Sequence, residues 1–326
     1  MGLLIEGQWH DQWYDTTSTG GRFVRENSQF RNWISADGHT GLPAEQNRYH
    51  LYVSLACPWA HRTLIFRKLK QLENILGVSV VSPYMGVNGW TFNPDEPGVS
   101  DSVNNKNYLH EIYTLAQPDY TGRVLVPVLW DKQGQTIINN ESADIIRMLN
   151  SEFNQLTGNT IDYYPATLHQ DIDHINALIY QSVNNGVYRC GFATSQQAYE
   201  EAFDELFAAL DMLEARLDEQ RYLVGESITE ADWRLFTTLI RFDAVYVGHF
   251  KCNKYRIADY PNLAGYMREL YQHPGIEPTV NFRHIKRHYY ESHDSINPSG
   301  IIPAGPIINL QAVPSRDHLP AAPWPN

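Results

Sequence analysis

The chain has 326 residues, 43% of them apolar, enough to bury a substantial core and long enough for roughly two domains of ordinary size. Its 25 basic against 37 acidic side chains give a net charge of −12, which disfavours nucleic acid and anionic membranes as partners over most of the surface. No run reaches the roughly 18 apolar residues of a membrane span, and the start of the chain lacks a basic flank followed by an apolar signal core, so a cytoplasmic location is expected.

Residues 1–48, rich in Gly, Asn, Ser and Trp with little periodicity, read as an irregular N-terminal segment packed on the core. A pattern then begins. Strands are expected over 49–54, 78–82, 127–131 and 136–139, with helices over 58–72 and 141–151, giving a β-α-β unit followed by a β-hairpin and a helix. The span 83–122 is long for a connection and carries many Gly, Pro, Asn and Asp around a short helix at 108–116; it reads as an insertion near a site.

Beyond residue 160 the character turns helical, with candidates over 168–184, 196–219, 230–242, 263–272 and 281–288. The helix start S-I-T-E-A-D-W-R is well marked: Thr229 is placed to cap it, with Asp232 at its third position and Ile228 set to staple onto Trp233. Beyond about residue 294 the chain is Pro-rich and reads as an extended tail. The expected organisation is therefore 1–48 irregular, 49–160 an α/β domain, 161–294 an all-α domain and 295–326 a tail.

Three cysteines far apart in sequence, Cys57, Cys190 and Cys252, fit a reducing compartment better than a disulfide framework. Cys57 stands out. It lies between the first strand and Pro58, which suits the first position of a helix, so the thiol falls at the N-cap, where free N–H groups and the helix dipole favour a thiolate. Alkylation of Cys57 is accordingly expected to titrate well below about pH 8, with His61 and Arg62 as further sources of positive potential.

Ala60 stands where a thioredoxin-type site would carry its resolving cysteine, so a mixed disulfide at Cys57 has to be resolved by an outside thiol, glutathione being the abundant one. Val126-Pro127, opening a strand, matches the position of a cis-proline whose preceding backbone pairs with a peptide-like ligand. In N-N-E-S-A-D, Glu141 and Ser142 open a helix whose N–H groups and hydroxyl suit a carboxylate, with Glu141 meeting an ammonium; plain helix capping accounts for the same residues. Most of the 20 tyrosines read as packing, although a cluster of them would suit a flat phenolic ligand.

Over nearly its whole length the sequence resembles glutathione transferases, specifically the Xi class, the glutathionyl-hydroquinone reductases. The stretches that carry the likeness are S-T-G-G-R-F, Y-H-L-Y-V-S-L-A-C-P-W-A-H-R, N-G-W-T-F, G-R-V-L-V-P-V-L-W-D, N-E-S-A-D-I-I-R-M, V-N-N-G-V-Y-R-C-G-F-A, R-F-D-A-V-Y-V-G-H-F-K-C and H-Y-Y-E-S-H. The resemblance implies a thioredoxin-like N-terminal domain followed by a helical glutathione-transferase C-terminal domain, a homodimer, glutathione as co-substrate, and reduction of S-glutathionyl-hydroquinones. It implies Cys57 as nucleophile and Trp90, Arg123, Val124, Leu125, Val126, Glu141 and Ser142 as the glutathione site, Leu125 acting through its backbone. It also implies Tyr188 as proton donor, with Tyr246 and Tyr289 lining the hydroquinone pocket and hydrogen-bonding the thiolate.

An omega-like thioltransferase or dehydroascorbate reductase shares Cys57 and glutathione without needing the three tyrosines, and a non-catalytic binder of aromatic ligands needs no reactive cysteine. His284, His288 and His293, and His249 with Cys252, have metal-like spacing but no four-ligand pattern, so no metal is expected. No phosphate-binding glycine loop or dinucleotide fingerprint is present.

Overall fold

The computed structural model describes residues 2–93 and 98–322; Met1, part of the expected insertion (94–97) and the end of the expected tail (323–326) lie outside the described residues. The N-terminal half holds strands β1 (Leu3–Ile5), β2 (Gln8–His10) and β3 (Tyr49–Val53), helix α1 (Pro58–Leu69), β4 (Gly77–Val80), helix α2 (Leu109–Ala116), β5 (Gly122–Arg123), β6 (Val128–Asp131), β7 (Thr136–Asn139) and helix α3 (Ser142–Ser151). A short helix α4 (Asn154–Thr157) follows. The C-terminal half is α5 (His169–Ile179), α6 (Gly186–Gly191), α7 (Gln196–Glu219), α8 (Glu230–Arg241), α9 (Pro261–Gln272) and α10 (Phe282–Ser292).

The central sheet runs β4-β3-β6-β7, with β3 parallel to β4 and antiparallel to β6. All five residues of β3 are buried, as a near-continuous apolar run in a covered strand requires. That is the thioredoxin-like half. It packs on the helical half chiefly through α1, which touches α3 on its own side and α8 across the divide. The expected capping box at Thr229 is formed: the Thr229 N–H donates to Asp232 Oδ2 at 2.7 Å. Among the described residues no helix is long and apolar enough to cross a membrane.

The helix expected over 168–184 is interrupted. After α5 the chain widens into one π turn, Tyr180–Asn184, and then runs into α6; a second π turn, Phe242–Tyr246, follows α8. Such turns carry an extra residue per turn and re-aim the side chains that follow, which is how Tyr188 and Tyr246 leave the periodic pattern of their helices.

The N-terminal segment departs most from expectation. It contains a hairpin, β1–β2, that pairs with β5 as a second sheet, and its remainder is tied down at specific points. Arg22 makes a forked ion pair with Glu201, and Arg31 pairs with Asp144. Gly21 has φ +86° and sits so near α7 that a Cβ would lie 2.4 Å from Ser195 Oγ, so the second glycine of S-T-G-G-R-F is required for this approach. Between residue 294 and the last described residue the tail has neither helix nor strand, but buried Arg316 anchors it by donating to four backbone carbonyls of the helical half.

Candidate active site

The strand β3 ends at Val53, the chain turns through Ser54–Ala56, and Cys57 becomes the N-cap of α1 with Pro58 at the first helical position. The Cys57 side chain does not cap the helix; its thiol points toward the Val126 carbonyl oxygen at 3.6 Å. The Val126–Pro127 peptide is cis. Buried Arg241, from the end of α8, fixes the turn from beneath. Its guanidinium donates to Ala56 O at 2.7 Å, Leu55 O at 3.2 Å, Thr237 O at 2.7 Å and His61 Nδ1 at 3.1 Å.

Those contacts settle the state of His61. Burial and Arg241 hold it well below its ordinary value, so the ring is neutral, accepting from Arg241 at Nδ1 and donating from Nε2 to Thr279 Oγ1 at 2.8 Å. His61 therefore adds no positive charge to the thiol, against the sequence expectation. Arg62 does reach the site: buried under the stacked indole of Trp59, it donates to Ser142 Oγ at 3.3 Å and Asn184 Oδ1 at 2.9 Å, with burial lowering it to about 9.

Cys57 opens onto a cleft between the two halves of the chain. Eight of the residues expected at the site line it: Cys57, Trp90, Leu125, Val126, Glu141, Ser142, Tyr188 and Tyr289. Three do not. Arg123 turns away to donate to Gln12 O at 2.5 Å and Trp13 O at 3.1 Å with its guanidinium over Tyr14, so it holds the N-terminal segment against the cleft. Val124 is buried, and Tyr246 stands behind Tyr289 rather than in the cleft. The backbone role expected of Leu125 is also taken: its N–H donates to Tyr113 Oη at 3.1 Å and its carbonyl accepts from the same hydroxyl at 2.8 Å.

In the cleft Glu141 caps α3, accepting from Ala143 N at 3.1 Å and from Ser28 Oγ at 3.2 Å, with Ser142 beside it. Three phenols form a chain that reaches the cleft through Tyr188 and Tyr289: Tyr188 Oη lies 2.6 Å from Tyr289 Oη, which lies 3.1 Å from Tyr246 Oη. Burial raises all three above their ordinary values, Tyr188 to about 12, so each keeps its proton at neutral pH. Their packing is close. Phe250 is stacked on Tyr246 and fills the space where a side chain at Gly191 would stand, 2.2 Å from its ring.

The thiol itself reverses the sequence expectation. Burial pushes Cys57 up from its ordinary value; the amides of Ala60 and Trp59 and the charges of Arg241 and Arg25 pull it down without cancelling that effect. An elevated thiol is scarce as thiolate but more nucleophilic once ionised, so the rate of its reactions should climb as pH rises through neutrality. Iodoacetamide alkylation of Cys57 is expected to titrate with a midpoint above that of a solvent-exposed cysteine measured alongside. A midpoint below the reference would restore the dipole-acidified thiol.

Family models for the glutathione S-transferase N-terminal domain and C-terminal domain match residues 56–152 and 196–269. Glutathionyl-hydroquinone reductase YqjG of Escherichia coli K12 is 57% identical over 324 residues, covering 97% of this chain and 99% of that one. The glutathione-bound structure of YqjG superposes with a TM-score of 0.89. Glutathionyl-hydroquinone reductase PcpF of Sphingobium chlorophenolicum is also 57% identical, over 94% of this chain and 96% of its own. A Xi class transferase from Natrialba magadii matches at TM-score 0.93 and 47% identity, covering 99% of this chain and 98% of that one. The chain belongs to the Xi class of the glutathione S-transferases.

In this Xi class transferase, several cleft residues had no expected role. Trp13, Tyr14, Phe23 and Arg25 come from the N-terminal segment, Trp59 follows Pro58, and His288 stacks on Trp90 with centroids 4.7 Å apart. A signal existed: the first 48 residues carry Trp9, Trp13, Tyr14, Phe23, Phe30 and Trp33, an aromatic load that an unpacked segment has no use for. The histidines considered for a metal are otherwise engaged, His249 Nε2 with His293 Nδ1 at 3.0 Å and His288 Nδ1 with Pro83 O at 3.0 Å.

Proposed function

We propose that the protein reduces S-glutathionyl-hydroquinones to hydroquinones with glutathione as co-substrate, through a Cys57-glutathione mixed disulfide. The observation that carries this reading is a half-buried nucleophilic thiol and a chain of protonated phenols opening onto one cleft. Two relatives sharing 57% of the sequence are named for this activity. Glutathionylated hydroquinones and glutathione are the proposed ligands, a homodimer the proposed assembly and the cytoplasm the proposed location.

The peptide half of the substrate lies across Val126, Glu141 and Ser142, its γ-glutamyl carboxylate at the start of α3 and its ammonium toward Glu141. Cys57 ionises and attacks the thioether sulfur; an S–S bond forms, the sulfur–aryl bond breaks, and its electron pair goes to the ring carbon. Tyr188 gives that carbon a proton. The Tyr188 phenolate is held by Tyr289, itself backed by Tyr246, so the transient charge is spread over hydrogen bonds already in place. A second glutathione then attacks the mixed disulfide: its thiol proton restores Tyr188, oxidised glutathione leaves and the Cys57 thiolate returns.

Mass spectrometry after mixing the protein with an S-glutathionyl-hydroquinone, without free glutathione, tests this. One glutathione adduct on Cys57 together with free hydroquinone is the expected result. Intact ligand with unmodified protein would mean that the cleft only sequesters aromatics.

A further inference from the structure

Among the described residues, Arg25 stands in the cleft as a cation with no counter-ion. Its guanidinium lies 5.1 Å from the Trp59 ring, 5.0 Å from Tyr188 and 5.5 Å from Phe23, and its Nε donates to Asn185 Oδ1 at 3.0 Å. Among the described residues no carboxylate pairs with it, and its two terminal nitrogens make no hydrogen bond. The acidic groups nearest in sequence or in the cleft are committed elsewhere: Glu26 pairs with Arg123 at 3.5 Å, and Glu141 takes Ala143 N and Ser28 Oγ.

The other guanidiniums of the site, Arg62 and Arg241, are buried and have their terminal nitrogens engaged, Arg62 with Ser142, Asn184 and Arg234 O, Arg241 with His61 and backbone carbonyls. Among the described residues, Arg25 is therefore a cation the cleft keeps for a ligand. Its position decides which part of the ligand. Tyr188, the phenol that donates the proton, lies 5.0 Å from its guanidinium, so Arg25 stands beside the phenols that face the quinol ring.

We propose that Arg25 is a specificity residue that binds an anionic oxygen carried on the quinol ring, a carboxylate above all, so that the enzyme prefers S-glutathionyl-hydroquinones bearing an acidic ring substituent. The proposal rests on the function assigned to the cleft above. A planar guanidinium whose Nε is already fixed by Asn185 presents its terminal N–H groups without further ordering, which suits a forked contact with a carboxylate. Such a contact in a partly desolvated cleft discriminates charged from neutral rings, since the unpaired cation is left unsatisfied by a neutral one.

The test compares two substrates differing only by a ring carboxylate, S-glutathionyl-hydroquinone and its carboxylated counterpart, with the wild-type protein, Arg25→Gln and Arg25→Lys. The wild type is expected to prefer the carboxylated substrate in kcat/KM by roughly tenfold or more. Arg25→Gln should lose roughly 10- to 100-fold on that substrate, mostly through KM, and only a few-fold on the neutral one, and Arg25→Lys should recover part of the preference. Equal losses on both substrates, with a raised KM for glutathione, would place the contact on a glutathione carboxylate and overturn the proposal. So would a wild type indifferent to the carboxylate. Failure of the functional reading is separately visible, because the wild type would then turn over neither substrate.

Discussion

Cys57→Ser is expected to lower turnover of S-glutathionyl-hydroquinones by at least about 10^4-fold while leaving the thermal midpoint within about 2 °C. Both halves of that expectation follow from where the sulfur sits. Chemically, a serine alkoxide is far less accessible than a thiolate at neutral pH, and an S–O adduct with glutathione offers no stable intermediate, so the variant loses the first step and the second. Structurally, the Cys57 thiol forms no cap hydrogen bond, and its contact with Val126 O is long, at 3.6 Å. The turn that carries it is held from the backbone side by Arg241, and the helix start by Pro58, neither of which the substitution touches. Single-turnover mixing followed by mass spectrometry, with calorimetry on the same sample, reads both. Residual turnover within about 100-fold of the wild type would remove the covalent intermediate from the mechanism, and a fall of many degrees in the midpoint would make the loss of activity uninformative.

A site is legible in sequence to the extent that its geometry is local. Cys57 followed by Pro58 after a five-residue buried strand is a local arrangement, and the first β-α-β unit with its candidate nucleophile is legible from these residues. Glu141 and Ser142 stand out likewise, because a helix start has a local signature. Tyr188, Tyr246 and Tyr289 do not. Tyr188 follows one π turn, Tyr246 closes another, and Tyr289 lies 43 positions further on, so no periodicity joins residues whose hydroxyls sit within 3.1 Å of their neighbours. Only the family resemblance brings them together.

The N-terminal segment escapes for a related reason. Its contacts are single side chains, Arg22 to Glu201, Arg31 to Asp144 and Arg25 to Asn185, each bridging more than 100 positions, and irregular backbone leaves no pattern to mark them. The error in the thiol's acidity has the same origin. Helix start and proline argue for a lowered value, and those favourable groups are present. Burial of the thiol depends on packing from distant parts of the chain, including a segment whose place along the cleft the sequence does not announce, and burial outweighs the dipole.

Tyr188→Phe is expected to slow formation of the Cys57-glutathione adduct by about 10^2- to 10^3-fold, with KM little changed. Removing one hydroxyl leaves the ring packed against Phe192, Phe250 and Tyr246, so the shape of the cleft survives and binding with it. What is lost is the proton for a ring carbon that is otherwise a poor leaving group. Because burial holds the Tyr188 phenol at about 12, it remains protonated from pH 6 to pH 10, and no acid is being titrated away in that range. The adduct-forming rate of the wild type should therefore rise with pH as Cys57 ionises and show no falling limb below about pH 11, a one-sided profile rather than a bell. Tyr289→Phe should cost about tenfold, since it removes the hydrogen bond at 2.6 Å that steadies the Tyr188 phenolate but not the proton itself. Stopped-flow measurement of hydroquinone release, separated from the later release of oxidised glutathione, distinguishes these cases. If Tyr188→Phe forms the adduct at the wild-type rate, the proton comes from elsewhere and the phenol chain is packing alone.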